Sequence, residues 1–455
     1  MKKSVKRILC GALSLAMCST IAVESVLRLS ANNTPLQGAT VTADASFKNV
    51  TGQFDTSKLM ESFFNDSVLK NEDVAPKYET RTVMVTLAGE PIVARADGKN
   101  VVEYLDSREG DKAKADIASE QASFLRALTK KGVAYSLERT YNTVLNGLAI
   151  EIDTKYVSEI KEMAGVESVV ITTAYSEPKT VDTANSDVVT NETDVYETGI
   201  YDSSAYAEKY GEGTVVAVLD TGLDYTHNAF QRFKSDDVDY AWDKAYVKSV
   251  LEGKDLAAER RSDALEVADV YVSEKVPYAY DYADDDADVY PSYSNHGTHV
   301  AGIIGGYDPS GYTDKDGNPI TDKQFLGVVP DAQLVICKVF TDDLDDPDLG
   351  GAVAKDIVAA LEDCVKLGVD VINMSLGTSC GFTTTNDGDD EGEMLNAVYE
   401  SITDAGISLI CAASNDYSSG YGGVYGTNLA SNPDSGTVGS PSTFASALSV
   451  ASING

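Results

Sequence analysis

Residues 216–227 read Val216-Ala-Val-Leu-Asp220-Thr-Gly222-Leu-Asp224-Tyr-Thr-His227, and their pattern indicates the fold class. An apolar strand ends here in an aspartate that is followed by a Thr-Gly turn. In doubly wound sheets the functional groups lie at the carboxyl ends of the strands, so we expect Asp220 where chemistry takes place. A lone Asp-x-Gly more often caps a turn, and Asp220 by itself does not identify a catalytic site.

Further apolar runs follow downstream, and helical stretches lie between them. The strands are predicted at 214–219, 334–339, 369–374 and 407–412, and the helices at 351–367 and 394–405. Apolar strands that alternate with helices predict a parallel sheet covered on both faces. Residues 213–455 are therefore expected to form an α/β domain with a doubly wound, mostly parallel sheet.

A smaller unit is predicted upstream, over residues 80–175. Its strands and helices follow the order β-α-β-β-α-β, which is the split βαβ arrangement of ferredoxin-like α+β domains. Residues 176–212 are rich in Asp, Thr, Ser and Asn and are expected to form an exposed connector. Residues 32–79 show no clear periodicity and are interpreted as a linker or arm.

The first 31 residues have the pattern of a secretory signal peptide. A positive segment that contains Lys2, Lys3, Lys6 and Arg7 precedes an apolar run over residues 8–23. No later segment is apolar over the roughly 18 residues that a membrane-spanning helix requires. We therefore expect a secreted or cell-surface protein without a transmembrane segment.

The charge balance excludes one class of partner. The chain carries 72 acidic and 36 basic residues, a net charge of −36. A nucleic-acid-binding protein would present a basic surface, so we expect no nucleic-acid partner. Of six cysteines, four lie beyond the signal segment, and their spacing fits no zinc site. Cys337 and Cys411 lie in apolar runs and are expected to be buried, and disulfides remain open.

Two further stretches carry candidate catalytic groups. The first is Asn295-His296-Gly297-Thr298-His299-Val-Ala-Gly302, where His296 is placed at the start of a helix. His296 and His299 are three residues apart, but no H-E-x-x-H pattern supports a zinc site. The second is Ile410-Cys-Ala-Ala-Ser-Asn415, a buried strand that ends in a polar residue. An Asn amide there could donate to an oxyanion, although it could equally be a turn residue.

Taken together, these stretches resemble the subtilisin-like serine proteases, whose triad runs Asp, His, Ser along the chain. Asp220 matches the V-x-D-T-G motif, His296 the first His of H-G-T-H-V-A-G, and Asn415 the oxyanion Asn of A-A-G-N, with Ser414 in place of Gly. The stretch Ser375-Leu376-Gly377 resembles the strand whose backbone binds substrate. The resemblance implies a serine endopeptidase that needs no cofactor for catalysis and acts on peptides or proteins.

Two further segments resemble the cell-envelope subtilases of the lactocepin and C5a-peptidase type, namely residues 327–334 and 432–441. Residues 80–175 resemble the inhibitory propeptide of the family, including the step Asn146-Gly147-Leu148. The resemblance implies that this propeptide is a partner of the catalytic domain and that cleavage falls within 176–212. Cell-wall attachment would depend on sequence C-terminal to this chain. His227 and His299 also match family positions and are interpreted as structural.

The family nucleophile is absent from these residues. The family carries it in a G-T-S-x-A-x-P motif after the oxyanion Asn, whereas Gly377-Thr378-Ser379 lies before Asn415 and continues with Cys380. We therefore expect an N-terminal portion of a longer protease, inactive alone, with an incomplete fold. The alternative is a non-catalytic secreted remnant that binds or inhibits a related protease. Calcium could serve as a structural ion, but the loop at 314–325 lacks the Gly and Glu of an EF-hand, and no ligands can be named.

Overall fold

The computed structural model describes residues 78–171, 174–175, 210–258, 265–310, 312–313, 319–320, 324–342, 351–377, 390–414 and 438–451. All of them belong to one compact unit, Pro76–Gly455. The predicted signal segment, nearly all of the linker and residues 176–209 of the connector lie outside the described residues. Among the helices that are described, none is long and apolar enough to span a membrane.

The N-terminal region is an α+β unit with the predicted topology. Its strands form an antiparallel sheet in the order β2-β3-β1-β4, which confirms the ferredoxin-like arrangement. The elements are β1 (Thr80–Leu87), α1 (Ile92–Ala96), α2 (Val101–Leu105), α3 (Arg108–Lys131), β2 (Tyr135–Tyr141), β3 (Gly147–Asp153), α4 (Val157–Lys161), β4 (Val166–Ile171) and the short β5 (Ala174–Tyr175).

Helix α3 shows why this region folds locally. The Ser107 hydroxyl accepts a hydrogen bond from the Gly110 N–H at 3.0 Å, so the N-terminus is capped. Gly132, at φ 79°, ends the helix in the left-handed conformation that glycine adopts without steric cost. Phe124 and Leu128 lie one turn apart and join the core cluster of the antiparallel sheet. One face of the helix therefore covers one face of the sheet.

The C-terminal region contains a six-stranded parallel sheet in the order β16-β15-β14-β6-β12-β7, which confirms the predicted α/β class. Its elements are β6 (Val215–Asp220), α5 (Lys244–Gly253), α6 (Val267–Val270), β7 (Tyr278–Asp281), α7 (His296–Gly305), β8 (Tyr307–Asp308), β9 (Tyr312–Thr313), β10 (Pro319–Ile320), β11 (Phe325–Leu326), β12 (Gln333–Lys338), β13 (Ala352–Val353), α8 (Ala354–Leu367), β14 (Val371–Met374), α9 (Asp390–Asp404), β15 (Ser408–Ala412) and β16 (Ala447–Val450).

Several elements differ from the sequence-based expectations. Strand β7 was not predicted, because Tyr278–Asp281 is short and its tyrosines do not form an apolar run, although all four residues are buried. Strand β16 was also not predicted, and its residues are mostly exposed. The second helix of the predicted β-α-β-β-α-β order is a 3-10 turn over Thr154–Tyr156 followed by the short α4. These differences lie at short elements, where periodicity carries little information.

The two regions share one core. A single cluster of buried apolar side chains contains Met84 and Leu145 from the N-terminal region together with Ala217 and Leu361 from the C-terminal region. Helix α8 is buried along almost its whole length. One of its sides covers the parallel sheet and the other receives the N-terminal region. The helix is therefore the platform on which the two regions meet.

Candidate active site

The predicted Asp and His lie in contact at the carboxyl edge of the parallel sheet. Asp220 is the last residue of β6, and His296 is the first residue of α7. The His296 Nδ1 lies 2.7 Å from the Asp220 Oδ1, and the side chains are 19% and 1% exposed. The other carboxylate oxygen, Oδ2, is buried and has no hydrogen-bond partner among the described residues. The arrangement holds the imidazole against a buried carboxylate while leaving part of the ring accessible.

Thr221 ties the two motifs together. Its hydroxyl donates to the Ser294 carbonyl at 2.9 Å and accepts from the Gly297 N–H at 2.9 Å. The Thr221 N–H donates to the Asp220 Oδ1 at 2.8 Å and so orients the carboxylate. Sequence reasoning treated this threonine only as part of a turn. Its position between an Asp and a Gly was the signal available in the sequence.

Two glycines allow the strand and the helix to approach each other. A Cβ on Gly297 would lie 2.3 Å from the Gly222 carbonyl oxygen. Gly222 itself has φ 105°, and a Cβ there would lie 2.3 Å from the Val289 carbonyl oxygen. Both distances are shorter than real Cβ contacts, so only glycine fits at either position. The contact of His296 with Asp220 depends on this close backbone approach.

A buried ion-pair cluster lies on the neighbouring strand. Lys338 ends β12 in register with Asp220, and Asp281 ends β7 in register with Lys338. The Lys338 ammonium contacts Asp281, Asp284 at 3.3 Å and Asp342 at 3.1 Å. Burial alone would lower the pKa of Lys338, but these carboxylates hold the pKa above its ordinary value. Sequence analysis missed this cluster because the partners come from separate strands and loops.

The predicted substrate-binding stretch directly follows β14. Leu376 is buried, and the Ser375 hydroxyl accepts a hydrogen bond from the Asn373 amide at 3.0 Å. A Cβ on Gly377 would lie 2.5 Å from the Ser440 carbonyl oxygen, so the backbone of this segment runs close to the chain before Pro441. Strand β14 is adjacent to β6, which places Ser375–Gly377 at the same edge of the sheet as Asp220.

The predicted oxyanion residue, Asn415, lies outside the described residues. The chain before it is described: Ser414 follows β15 with φ 112°. Backbone at this φ favours glycine, which is the residue that the resembling motif carries at this position. Strand β15 is the neighbour of β14, so the segment that leads to Asn415 leaves the same edge of the sheet.

The other histidines do not join Asp220 and His296. His227 caps the 3-10 turn Asn228–Phe230, and its Nδ1 accepts the Ala229 N–H at 3.2 Å. His299 lies one turn into α7 and is exposed. Within the described ranges, no group of three or more His, Cys, Asp or Glu side chains is placed to hold a metal ion. The acidic loop at 314–318 lies outside those ranges, and structural calcium stays a prediction.

The N-terminal region meets α8 through buried polar groups. The Glu362 carboxylate accepts the N–H groups of Asn142 and Thr143 at 3.0 Å. The Arg139 guanidinium, 4% exposed, contacts Asp356 at 2.8 Å and Asp285 at 2.5 Å. Burial raises the pKa of Asp356, although Lys355 and Arg139 oppose the rise. The contacts with Asp356 and Glu362 join residues more than 200 positions apart, and no local pattern reveals them.

A second connection is made by backbone pairing. Strand β5 pairs with β13 in antiparallel orientation, with Tyr175 opposite Ala352. The Tyr175 side chain is only 3% exposed and belongs to the shared core. The chain that leaves the N-terminal region thus adds a strand beside the start of α8. Addition of an extended segment to a free strand edge is a general mode of peptide recognition.

Comparison with known families assigns both regions. Residues 211–455 match the Subtilase family (Peptidase_S8), and residues 100–176 match Peptidase inhibitor I9. The first match covers more than half of the chain and contains Asp220, His296 and Asn415. The second match covers most of the antiparallel unit and ends directly after Tyr175.

Individual relatives agree with these families. The chain is 31% identical over 384 residues to the PIII-type proteinase of Lactococcus lactis subsp. cremoris (strain SK11), covering 81% of this chain and 17% of that protein. It is 32% identical over 243 residues to the C5a peptidase of Streptococcus pyogenes serotype M3, covering 53% and 18%. The chain thus spans about a sixth of the length of these relatives. The structure of the epidermin leader peptide processing serine protease from Staphylococcus aureus is 12% identical, with a TM-score of 0.43, over 82% of this chain and 69% of that chain.

Proposed function

The chain belongs to the subtilase family, and we propose from this that the protein hydrolyses peptide bonds as a serine endopeptidase with an Asp-His-Ser triad. The observation that carries the proposal is the 2.7 Å contact between the His296 Nδ1 and the buried Asp220 Oδ1. In this mechanism Asp220 holds the imidazole in the tautomer that carries its proton on Nδ1. The opposite ring nitrogen is then available to accept a proton from a serine hydroxyl.

The remaining steps use the other groups that match the family motifs. His296, once protonated, returns its proton to the leaving amine of the cleaved peptide. The positive imidazolium is stabilised meanwhile by Asp220, which stays ionised. The Asn415 amide donates to the oxyanion of the tetrahedral intermediate. The backbone of Ser375–Gly377 pairs with the extended substrate, so that the scissile bond is held near His296.

We further propose that the nucleophilic serine lies C-terminal to Gly455. Between Asn415 and Gly455 the sequence contains no G-T-S-x-A-x-P motif. The first experiment is therefore to sequence the coding DNA beyond codon 455. An open frame that contains the motif supports the proposal. A stop codon directly after Gly455 would contradict it and would favour the non-catalytic alternative.

The catalytic assignment is tested by peptide hydrolysis with the full-length protein. His296→Ala is expected to abolish measurable turnover, since in subtilisin loss of the catalytic histidine lowers kcat about 2 × 10⁶-fold. His299→Ala is the matched control, because His299 is exposed on the same helix, and its kcat should stay near that of the parent. Residues 1–455 alone should show no turnover. Hydrolysis that survives His296→Ala would refute the assignment.

We propose that residues 80–175 inhibit the catalytic domain. The match to Peptidase inhibitor I9 and the buried contacts of Arg139, Asn142 and Thr143 with the C-terminal region support this role. These residues also carry a core cluster of their own. Added in trans to the processed full-length enzyme, the 80–175 segment is expected to inhibit hydrolysis below micromolar concentration. Failure to inhibit at micromolar concentration would contradict the role.

The second candidate function is a secreted protein that binds or inhibits a related protease without catalysis of its own. The buried polar contacts between the two regions favour it equally, because they need no nucleophile. Export itself is proposed from the signal pattern in residues 1–31. N-terminal sequencing of the protein from the culture medium tests export, and a protein that still begins at Met1 would argue against signal cleavage.

A further inference from the structure

Two buried thiols lie side by side in the C-terminal region. Cys337 is on β12 and Cys364 is on α8, the helix that covers the parallel sheet. Their Sγ atoms are 3.8 Å apart, and both residues are 0% exposed. Cys411, the third described cysteine, is also buried on β15, and no contact between its sulfur and another thiol is recorded among the described residues. Among the described cysteines, only the Cys337 and Cys364 thiols are therefore in contact.

Neither thiol takes part in the proposed catalysis. Packing alone would be satisfied by any small apolar side chain at these positions, since a buried free cysteine acts as a small hydrophobe. A disulfide requires an S–S distance of about 2.05 Å, so each sulfur would have to move by less than about 1 Å from the present contact. The strand and the helix already place the two sulfur atoms in contact with each other.

We propose that Cys337 and Cys364 form a disulfide in the exported protein, and that this bond forms during folding. The inference rests on the export proposed above, because disulfides persist in oxidising compartments. It does not depend on the catalytic assignment. The bond closes a loop whose ends are 27 positions apart in the sequence.

The oxidant is a disulfide-containing molecule, such as oxidised glutathione or an extracytoplasmic thiol oxidoreductase. The thiolate of one cysteine attacks that disulfide, forms a mixed disulfide and releases one thiol. The second cysteine loses its proton and attacks the mixed disulfide at the first cysteine's sulfur. The Cys337–Cys364 bond forms, a second thiol leaves, and the oxidant has taken up the two electrons.

The timing follows from burial. The thiolate is the reactive species, and burial raises the pKa of the Cys337 thiol well above its ordinary value. Neither sulfur is accessible once α8 covers the sheet. Oxidation should therefore precede the docking of α8 on the sheet. The folded dithiol form should resist oxidants added from solution.

The bond would connect two functional elements. Strand β12 ends at Lys338, in register with Asp220, and α8 carries Glu362, which accepts the backbone N–H groups of the N-terminal region. A covalent link between Cys337 and Cys364 would hold α8, on which the N-terminal region packs, against β12, which borders the candidate active site. Reduction would remove this restraint while leaving both side chains buried.

The test uses residues 32–455, the chain without its predicted signal segment, refolded with a glutathione redox pair or with reductant alone. After denaturation, free thiols are alkylated and the digest is analysed by mass spectrometry. The oxidised sample should contain a linked pair of peptides with Cys337 and Cys364, two mass units lighter than the separate peptides. The Tm of the oxidised sample should be roughly 2–5 °C higher than that of the reduced sample, because the bond restricts the unfolded chain.

Variants assign the bond. Cys337→Ala should abolish both the linked peptide and the redox-dependent Tm difference, whereas Cys411→Ser and Cys380→Ser should retain them. If Cys337→Ala does not fold, the peptide map of the parent protein still decides the question. Absence of the linked peptide after oxidative refolding, or linkage of Cys364 to Cys380 instead, overturns the proposal. Rapid oxidation of the folded dithiol protein would overturn the assigned timing.

Discussion

At the level of single residues, the candidate active site requires two glycines beside the charged Asp220 and His296. His296 reaches Asp220 because Gly222 and Gly297 lack side chains where β6 and α7 approach each other. Thr221 then uses one hydroxyl to join the turn after β6 to the start of α7. The contact between His296 and Asp220 therefore depends on three uncharged residues, Thr221 and the two glycines.

Gly297→Ala is expected to destabilise the protein by about 1–3 kcal/mol, the usual cost of overpacking. The new methyl group would lie 2.3 Å from the Gly222 carbonyl oxygen and 3.1 Å from the Asp220 Cβ, so the backbone must shift. Thermal unfolding followed by circular dichroism measures the effect. Gly253→Ala is the control, because nothing lies within 4 Å of a Cβ there. An equal Tm for both variants would contradict the close approach.

At the scale of elements, α8 carries more buried charge than its periodicity suggests. Four charged residues of this helix are at most 2% exposed: Asp356, Glu362, Asp363 and Lys366. Each has a partner: Arg139 for Asp356, backbone N–H groups and Lys366 for Glu362, and the Ala257 N–H at 2.6 Å for Asp363. Buried charges need ion-pair or hydrogen-bond partners to offset the loss of water. The partners of the charges on α8 come from both the N-terminal and the C-terminal region.

Arg139→Met is expected to lower the free energy of unfolding by about 3–5 kcal/mol, because it leaves Asp285 and Asp356 near each other without their shared cation. Urea unfolding of residues 1–455 measures the loss. Arg126→Met is the control, since Arg126 is exposed on α3 of the same region. In the double variant Arg139→Met with Asp356→Leu, part of the stability should return. A loss no larger than that of the control would show that the ion pairs do not hold the regions together.

At the scale of the whole molecule, the net charge of −36 opposes compaction. Excess charge of one sign repels itself, and the buried ion pairs on α8 and around Lys338 compensate only a few acidic groups. The same charge favours solubility and attracts cationic partners. The stability of the fold should therefore depend on ionic strength.

Raising NaCl from 0.01 M to 1 M at pH 7 is expected to increase the Tm, because the Debye length falls from about 30 Å to about 3 Å and the repulsion is screened. A thermal-shift series measures the change. The same series near pH 4, where a large share of Asp and Glu is protonated, is the control and should show a smaller increase. A Tm that is independent of salt at pH 7 would mean that the acidic groups are already locally compensated.

The amino-acid pattern alone was enough to predict the classes of both regions and to identify the candidate Asp and His. Apolar runs such as 214–219 and 334–339 have the length and composition of buried parallel strands, and the period of a segment depends only on its own residues. The motifs around Asp220 and His296 are short and local, so they too could be recognised without a structure. Short elements such as β7 escaped prediction because their few residues do not establish a period.

Which residues lie in contact could not be predicted from the sequence and became clear from the folded structure. Arg139 contacts Asp356, which is 217 positions away in the sequence. Cys337 lies beside Cys364, and Lys338 forms ion pairs with carboxylates from two separate loops. Hydrophobic periodicity predicts that one face of a helix or strand is buried, but it does not predict which other element packs against that face. The partner of a desolvated charge or thiol is chosen by packing between elements distant along the chain, and that choice exists only once the whole core has formed.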